Sequence, residues 1–402
     1  MCGLSAVLIN SNDTSSNHLK TIYKMTETIR HRGPDDEGYV LFENNNQKPI
    51  ILKGKDTLTK NFKDKYLYVP ERGQNSSSDD IKLILGHRRL SIQDISLAGH
   101  QPMCDESGRY WIIFNGEIYN YKKLKKNLID RGIQFLSSSD TEIILKYYIE
   151  FGVDCFQKFK GMWSLMIYDN LNNEILLSRD RFGIKPLYYY ISPKNDIYFA
   201  SEIKQFTKIP SWRSKLNINR AYDYLLYSQI DHTDETMFKD VFQCPQGHFI
   251  NINLDNNKNI GKKLTAKKWY KLKNYKKNTK DKGFVQNKLS LRKLIESSVD
   301  EHKISDVPIS YSLSGGLDSS ILVLSDYNRN SDKIKTYSIF SKNKEVDESK
   351  WVNEVIKNTN IKNKNTYLET NEYFKELNNI LWSLDEPFND NTIFSQWKLM
   401  KL

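Results

Sequence analysis

Short apolar runs bounded by turn-forming residues dominate the first half of the chain. Runs of this length, rich in β-branched and aromatic side chains, are typical of β-strands. They predict strands at Leu4–Ile9, Lys82–Gly86, Tyr110–Phe114, Trp163–Tyr168, Glu174–Ser178 and Ile197–Ala200. The polar segment Asp169–Asn173 predicts a hairpin turn between two of these strands. Apolar residues at helical spacing predict helices at His18–Arg30 and Asp140–Phe151.

The pattern changes in the second half, where runs of strand length alternate with amphipathic segments of helix length. Strands are predicted at Val307–Leu313, Lys335–Phe340 and Thr366–Glu369, with helices between them at Ser319–Tyr327 and Glu345–Lys357. Strands that alternate with helices form βαβ units, which build a parallel sheet. The second half is therefore predicted to be an α/β domain.

Two polar stretches interrupt these patterns. Residues 43–80 are irregular and end in the turn-forming run Gly73–Ser78, which indicates a surface insertion. Residues 256–282 are rich in Asn and Lys, as linkers often are, although Trp269 and Tyr270 indicate that part of this stretch packs. We predict these domain bounds: a first domain over 2–210, a connecting segment over 211–283 and a second domain over 284–402.

Composition narrows the class of protein. The 402 residues carry 60 Lys+Arg against 49 Asp+Glu and are 39% hydrophobic, which fits a folded protein with room for two domains. The net charge of +11 lacks the Arg and aromatic clustering of a nucleic-acid-binding face, so no nucleic acid is expected as a partner. No apolar run reaches the roughly 18 residues of a membrane span. With 4 cysteines and no paired spacing among them, we expect a cytoplasmic protein without disulfides or structural zinc.

Cys2 is the first candidate for chemistry. Removal of Met1, expected before so small a residue, would leave a thiol and an α-amine on Cys2. Together these groups are a complete nucleophile and base, because an amine with a pKa of about 8 takes the thiol proton directly or through water. In isolation, Cys2 could equally be a small buried residue that opens a strand.

Polar segments stand at the ends of predicted strands and helices, where binding sites are often built. They are Arg30–Asp36, Gly86–Ile92, Phe114–Asn120 and Ser139–Glu142. Each also has a purely structural interpretation. These alternatives are a helix stop at Arg30–Asp36, a hairpin turn at Asn115–Gly116, a helix cap at Asp140, and solvated surface charges at Arg89 and Glu117.

In this order, Cys2-Gly3, RHRGPDDEG, GHRRLSI, FNGEIYN and SSDTE resemble the class II glutamine amidotransferase domain. The segments RDRFGIKPLYY and ASEIK extend the resemblance to glutamine-hydrolysing asparagine synthetases. The resemblance implies an α+β N-terminal-nucleophile hydrolase with an αββα sandwich, followed by an α/β nucleotide-binding domain with a parallel sheet.

The resemblance also implies roles for single residues. Cys2 would attack the side-chain amide of glutamine and release ammonia through a γ-glutamyl thioester. The Asn115 side-chain N–H and the Gly116 main-chain N–H would hold the tetrahedral oxyanion, and loss of one such donor typically slows a reaction by about 10²- to 10³-fold. Arg89 would bind the α-carboxylate, while Glu117 and Asp140 would bind the α-ammonium group.

The segment SGGLDSS, Ser314–Ser320, joins a predicted strand to a helix. Its glycines expose main-chain N–H groups, its serines add hydroxyl donors and a helix N-terminus favours an anion, although a plain glycine-rich turn is the alternative. It is similar to the pyrophosphate loop of ATP pyrophosphatases, which implies ATP and Mg²⁺ as cofactors. By this likeness the ATP-binding residues are Leu313, Ser314, Gly315, Gly316, Asp318, Ser319 and Ile339, with Asp318 also at the metal and Leu313 and Ile339 beside the adenine.

The sequence departs from the family toward its end. The acidic segments Val346–Ser349 and Asp385–Phe388 stand where the family has similar motifs, but each could be a helix start or an acidic turn. A second glycine-rich motif of the form SGxGxDE does not occur before Leu402. We expect either a fragment or a degenerate synthetase half, with a homodimer or another partner completing the parallel sheet.

The leading hypothesis is an ATP-dependent ligase, a glutamine-dependent asparagine synthetase with glutamine, aspartate and ATP as substrates. Ammonia would pass through an internal tunnel to an adenylated aspartate. The alternatives are amidation of another carboxylate or of a surface-polysaccharide sugar, and a glutaminase or glutamine-binding module without ligase activity. The glutaminase site is expected to be intact, whereas ligase activity of this chain alone is in doubt.

Overall fold

The computed structural model describes residues 1–11, 14–46, 48–58, 66–68, 70, 80–255, 261, 263–272, 283–330, 334–390 and 392–402. The chain forms two compact units, residues 1–272 and residues 273–402. Residues 211–272, which the sequence pattern assigned to a connecting segment, therefore belong to the first unit, where their strands extend both sheets.

The first unit contains these elements in chain order: β1 (Gly3–Leu8), α1 (Ser15–Thr28), β2 (Asp36–Glu43), β3 (Ile50–Lys53), β4 (Ile81–Arg89), β5 (Met103–Cys104), β6 (Tyr110–Ile118), α2 (Tyr121–Ile129), α3 (Asp140–Phe151), β7 (Gly161–Asp169), β8 (Glu174–Arg179), β9 (Tyr188–Ile191), β10 (Ile197–Ala200), α4 (Ile218–Tyr227), β11 (Val241–Gln243), β12 (His248–Asn253) and β13 (Ala266–Lys268). One sheet has the order β11-β9-β10-β1-β4-β2-β3 and the other β13-β12-β8-β7-β6-β5. The paired strands in both sheets are antiparallel.

The two sheets pack face to face between layers of helices. Helix α1 packs on β1 and β4 of the first sheet, α3 packs on β5 and β6 of the second, and β1 contacts β6 between the sheets. Phe42 contacts Trp111 and Tyr168 across this interface, with ring centroids 5.7 and 4.6 Å apart. The αββα sandwich expected from the resemblance is confirmed.

The strands predicted in the first half are all present, with small shifts at their ends, because their apolar runs are buried. Every residue of β1 and of β4 is buried, as expected for strands covered on both faces. The hairpin at Asp169–Asn173 is also confirmed, since Asp169 Oδ1 accepts the main-chain N–H groups of Leu171 and Asn172. Strand β3 lies within the predicted insertion at 43–80.

The second unit contains α5 (Phe284–His302), β14 (Tyr311–Ser312), α6 (Leu317–Asn330), β15 (Lys335–Ser341), α7 (Ser349–Lys357), β16 (Lys362–Leu368), α8 (Thr370–Leu384) and α9 (Thr392–Met400). Its strands form the predicted parallel sheet, in the order β14-β15-β16. Its buried core is formed by Leu313, Val323, Ile334, Phe340, Val352 and Ile361. The predicted strand at Val307–Leu313 is shorter, and the helix expected from Glu345 begins at Ser349.

Some sequence features lie outside the described residues. These are the turn-forming run at 73–78 and most of the polar stretch at 256–282. Among the helices of the described chain, none combines the length and the hydrophobicity that a membrane span requires.

Candidate functional site

One cleft in the first unit brings together residues that are far apart in the sequence. It is a narrow cleft of about 40 Å³ between the start of β1, the end of β4, the C-terminal half of β6 and the start of α3. Its lining includes all the residues expected to act on glutamine, namely Cys2, Arg89, Asn115, Gly116, Glu117 and Asp140. It also includes Lys185 and Gln101, which the sequence did not single out.

Cys2 precedes β1, and its thiol contacts the main chain of Leu90. The Leu90 N–H donates to Cys2 Sγ at 3.4 Å, and the thiol donates to the Leu90 carbonyl at 3.7 Å. Burial raises the pKa of the Cys2 thiol, so a nearby base is needed to ionise it at neutral pH. Burial also lowers the pKa of the terminal amine on Met1 to about 6. The amine of Met1 is therefore mostly unprotonated at neutral pH.

Asn115 and Gly116 lie inside β6, opposite Ser164 and Trp163 of β7, so the hairpin-turn alternative is wrong. Asn115 is fully buried, and within the described part of the chain neither its Oδ1 nor its Nδ2 has a hydrogen-bond partner. The hydroxyl of its cross-strand neighbour Ser164 is likewise unpartnered there. Buried polar atoms are normally paired, so these atoms at the cleft indicate groups held for a ligand.

Gly116 allows β6 and β7 to approach closely. A Cβ at this position would stand 2.2 Å from the Met162 carbonyl oxygen and 2.8 Å from the Trp163 Cα atom. Both are main-chain atoms of the paired strand and cannot move aside without opening the ladder. Glycine is therefore required here for packing, next to the residue whose amide faces the cleft.

Phe114, the residue before Asn115, is fixed at both of its main-chain polar groups. His87 Nε2 donates to the Phe114 carbonyl at 3.0 Å, which ties β4 of one sheet to β6 of the other. Burial lowers the pKa of His87 to about 3, so the ring is neutral and one tautomer supplies this donor. Gln101 Oε1 accepts the Phe114 N–H at 2.7 Å. These two contacts hold Asn115 in place, and sequence analysis assigned neither of them.

Arg89 is buried at the end of β4, so the surface-charge alternative for it is wrong. Its guanidinium donates to the main-chain carbonyls of Gln93, Asp94 and Ser96, the last at 2.8 Å. These bonds fix the loop that follows β4 while the positive charge stays in the cleft lining. Glu117 is half-buried in the same lining.

Asp140 is the first residue of α3, and the cap is Ser139, whose hydroxyl accepts the Thr141 N–H at 3.1 Å. The cap alternative for Asp140 is therefore wrong. Asp140 Oδ2 instead accepts the Ile118 N–H at 3.0 Å, which joins α3 to the end of β6. Burial, together with the nearby Glu117 carboxylate, raises the pKa of Asp140 to about 7 despite that hydrogen bond.

A buried ionic group behind the cleft positions Cys2. Arg32 Nε donates to the Cys2 carbonyl at 2.9 Å, and Arg32 Nη1 donates to Glu202 Oε1 at 2.8 Å. Lys204 Nζ bonds the other Glu202 oxygen at 2.6 Å, and His31 Nε2 lies 3.1 Å from Oε1. Against the effect of burial, the His31 hydrogen bond and the charges of Lys204 and Arg32 lower the pKa of Glu202 to about 2. We call Arg32, Glu202 and Lys204 the Arg32 clamp.

Carboxylates that could share a metal ion meet at one place among the described residues, which is Glu27, Glu37 and Asp56. Arg88 already neutralises this group, with ion pairs of 2.6, 3.0 and 2.6 Å to the three side chains in that order. The cluster therefore does not fit a metal, and it serves to bury Arg88.

In the second unit, the SGGLDSS segment forms the turn from β14 into α6. Gly315 has φ +84°, and a Cβ there would stand 2.7 Å from the Trp351 Cβ, so glycine is needed for both conformation and space. The hydroxyls of Ser314 and Ser319 are 3.0 Å apart, and Ser314 Oγ accepts the Gly316 N–H at 3.3 Å. Asp318 is exposed in the first turn of α6.

Of the residues expected beside an adenine, Leu313 directly follows β14 and Ile339 lies in the adjacent strand β15. Leu313 is buried, and its carbonyl accepts the Ser338 hydroxyl at 2.6 Å, one residue before the half-buried Ile339. Of the acidic segments, Asp347 Oδ1 accepts the Ser341 N–H at 3.0 Å, which holds the end of β15. The segment at 385–388 follows α8.

Comparisons with known proteins match both halves of the chain to known families. The glutamine amidotransferase domain family matches residues 51–269, and the asparagine synthase family matches residues 290–402. A protein of Methanocaldococcus jannaschii named putative asparagine synthetase [glutamine-hydrolyzing] 2 is 30% identical over all of this chain and 72% of its own length. Asparagine synthetase [glutamine-hydrolyzing] 1 of Bacillus subtilis is 31% identical over 92% of this chain and 50% of its own length. Among solved structures, a glutamine PRPP amidotransferase of B. subtilis covers 81% of this chain and 64% of its own at 16% identity, with a TM-score of 0.46.

The fold and the family match define the first unit as a glutamine amidotransferase domain. With the second matched domain, the chain belongs to the family of glutamine-hydrolysing asparagine synthetases. It spans 72% of the archaeal relative but only 50% of asparagine synthetase 1 of B. subtilis.

Proposed function

We propose that this chain hydrolyses glutamine at Cys2 and delivers the ammonia to an ATP-activated aspartate, as a glutamine-dependent asparagine synthetase. The observation that carries the first half of this proposal is the convergence of Cys2, a buried unpartnered Asn115 and charged side chains on one cleft. A structural cavity gives no reason to leave an amide unpaired, whereas an oxyanion would pair with its N–H groups.

In the proposed reaction, the α-amine exposed by removal of Met1 takes the proton of the Cys2 thiol. The thiolate then attacks the side-chain carbonyl carbon of glutamine, and the carbonyl oxygen becomes an oxyanion held by Asn115 Nδ2 and the Gly116 N–H. Collapse of this species breaks the C–N bond, and the amine returns its proton to the leaving ammonia. Water, activated by the same amine, hydrolyses the resulting thioester to glutamate.

Charge complementarity supports free glutamine as the substrate. Arg89 supplies a fixed positive charge at the end of β4 for the α-carboxylate, and Glu117 with Asp140 supplies negative charge at the end of β6 for the α-ammonium group. A bound ammonium group favours the ionised form of Asp140, whose pKa in the empty cleft is about 7. Binding of the correct substrate thus restores the charge that burial disfavours.

The glutaminase step is tested by glutamate release from glutamine, measured on the full chain with mass spectrometry to confirm loss of Met1. We expect turnover by the wild type, none above background for Cys2→Ala, and a loss of about 10²- to 10³-fold in kcat for Asn115→Ala. Cys104→Ala is the matched control, since Cys104 is buried outside the cleft. Equal turnover by Cys2→Ala, or an intact Met1 in active protein, would overturn the proposal.

The second half of the proposal concerns ATP and Mg²⁺ at the SGGLDSS turn. The donors present fit a polyphosphate, because the Ser314 and Ser319 hydroxyls and the N-terminus of α6 meet in one turn. Gly315 and Gly316 would border the phosphates, Asp318 would hold Mg²⁺, and Leu313 and Ile339 would border the adenine. ATP supplies the adenylate that activates the aspartate β-carboxylate, and ammonia displaces AMP from it.

Pyrophosphate release from ATP tests this half. We expect release that depends on both aspartate and Mg²⁺ and that falls at least tenfold in Asp318→Asn, with Asp306→Asn as the control in the same unit. Release driven by another carboxylate or by a sugar, with none for aspartate, would favour a different acceptor. Glutamine hydrolysis without ATP turnover would leave a glutaminase, and a homodimer or a second chain that restores ATP turnover would identify a partner that completes the domain.

A further inference from the structure

Lys185 is a buried lysine on a rigid loop at the cleft. Only 4% of its surface is exposed, yet its side chain lines the same space as Cys2 and Glu117. Its main-chain N–H donates to Asp180 Oδ2 at 3.0 Å, and its carbonyl accepts from Arg179 Nε at 2.8 Å. Asp180 also receives the Trp163 N–H at 3.1 Å, which ties the loop to β7. The backbone therefore holds Lys185 at a fixed place beside the reacting groups.

The side chain of Lys185 lies in the cleft lining, where its ammonium carries a positive charge near Glu117 and Cys2. Lys204, buried to a similar degree, pairs with Glu202 at 2.6 Å. Burial lowers the pKa of Lys185, whereas the Glu117 carboxylate, the strongest charge that acts on it, raises it. A cation held in the cleft lining stabilises further negative charge that forms there.

The charges around Lys185 indicate which group supplies this negative charge. Those acting on Lys185 are Glu117 at the end of β6, Arg32 after α1, Asp180 in its own loop, and Cys2. Those acting on Cys2 are the terminal amine, Arg89 of β4 and Asp140 of α3. The α-carboxylate of glutamine is expected at Arg89, so the remaining negative charge that develops near Lys185 is the Cys2 thiolate.

We propose that Lys185 is a positioning residue whose ammonium stabilises the Cys2 thiolate and so favours transfer of the thiol proton to the α-amine. In this step the S–H bond breaks, the proton moves to the amine nitrogen, and the electron pair stays on sulfur. The proposal rests on the glutaminase function, but it concerns the free protein and makes a separate claim about the thiol.

The test is the rate at which iodoacetamide alkylates Cys2 as a function of pH, without glutamine, on protein that has lost Met1. Peptide mass spectrometry assigns the label, and Cys104, Cys155 and Cys244 are buried. We expect Lys185→Met to lower the alkylation rate at pH 7.5 by about tenfold, while Lys185→Arg stays within threefold of the wild type because it keeps the charge. The exposed Lys123→Met is the control and should alkylate as the wild type does.

Several outcomes would overturn the proposal. An unchanged alkylation rate in Lys185→Met would do so, as would a rise in KM for glutamine with no change at the thiol, which would assign Lys185 to substrate binding. Lys185→Gln also removes the charge and is measured in parallel. If Lys185→Met has a lowered melting temperature, the alkylation rate of Lys185→Gln is used instead. Wild-type protein that fails to hydrolyse glutamine would refute the proposed function, while the alkylation rates would still report on Lys185.

Discussion

At the scale of single residues, burial in the cleft places several polar groups in unfavourable states. Among the described residues, the Asn115 amide has no hydrogen-bond partner, and burial raises the pKa values of the Asp140 carboxyl and the Cys2 thiol. Each of these states is unfavourable in the empty cleft and is relieved by a ligand of the right charge or by proton transfer. The fold stabilises the site through surrounding contacts, such as those of His87 and Gln101 to Phe114.

The raised pKa of Asp140 predicts how glutamine binding depends on pH. Below pH 7 the carboxyl becomes neutral and loses its attraction for the α-ammonium group, so KM should rise as the pH falls from 7 to 5.5. Asp140→Asn should show a KM at least tenfold higher at pH 7.5 and almost no change over the same range. Steady-state kinetics with glutamine measure this, and a wild-type KM that is constant across the range would contradict it. The Cys2 amine affects kcat, so the two effects are separable.

Sequence reasoning found the residues of the cleft but not the contacts that hold them. Cys2, Asn115 and Asp140 are carried by short motifs whose residue types already indicate the chemistry. Lys185 lies in the motif RDRFGIKPLYY and Glu202 in the motif ASEIK, and the resemblance gave neither residue a role. Their roles depend on neighbours from other elements, and no local sequence pattern specifies which charged side chains will meet in the folded protein.

At the scale of elements, the position of β1 is set by the Arg32 clamp. Arg32 reaches from the turn after α1 to the Cys2 carbonyl, and Glu202, just beyond β10, holds its guanidinium. Strands β1 and β10 are also paired in the sheet. Cys2, the proposed nucleophile, is thus positioned by a salt bridge between the segment after α1 and the segment after β10.

The clamp predicts a measurable loss of stability. Glu202→Gln leaves Arg32 and Lys204 buried without their counter-charge, and we expect the free energy of unfolding to fall by about 3 kcal/mol at pH 7. Urea denaturation measures this value. Glu150→Gln, which breaks an exposed pair with Arg131, should cost less than about 1 kcal/mol.

The pH dependence of this loss follows from the lowered pKa of Glu202. The contribution of the carboxylate is present above about pH 4.5 and is lost as the pH falls toward 2. Wild type and Glu202→Gln should therefore converge in stability at low pH. A difference that stays constant between pH 5 and pH 2.5 would show that the charge of Glu202 is not the cause.

The elements that the sequence missed have physical explanations. Strand β2 begins with Asp36 and Glu37, which are charged but buried because His100 and Arg88 pair with them. In the second unit, the apolar run from Val307 contains Pro308, which has no N–H to donate, and pairing begins only at Tyr311. Helices α5 and α8 leave apolar side chains exposed, so no clear apolar stripe marked them.

At the scale of the whole molecule, the two units differ in how much apolar surface they bury. Among the described residues, the first unit has a large core that includes Ile22, Tyr39 and Phe206, whereas the cluster around Val323 and Val352 in the second unit is smaller. Large side chains of the second unit are exposed, among them Trp351 at 54%, Phe374 at 73% and Trp382 at 55%. Stability follows buried apolar area, so the second unit is expected to be the weaker one.

This difference predicts that unfolding is not a single transition. In hydrogen exchange under mild urea, the amides of β15 should exchange before those of β7 by at least tenfold in rate. Saturating MgATP should slow exchange in β15 while leaving β7 unchanged, because a ligand stabilises only the unit that binds it. Equal protection of both strands at all urea concentrations would contradict the prediction.

The pairing of Asn115 with Ser164 and of Gly116 with Trp163 has a consequence for how this protein can vary. Side chains on a strand alternate between faces, so a shift of β6 by a single residue would turn the Asn115 amide away from Cys2 and press a side chain against the Met162 carbonyl. Insertions and deletions are tolerated in the loop at 105–109, between β5 and β6, only if the loop changes its length without shifting β6. The geometry of the cleft therefore depends on the register of β6 against β7. Insertions and deletions are tolerated only where they leave this register unchanged.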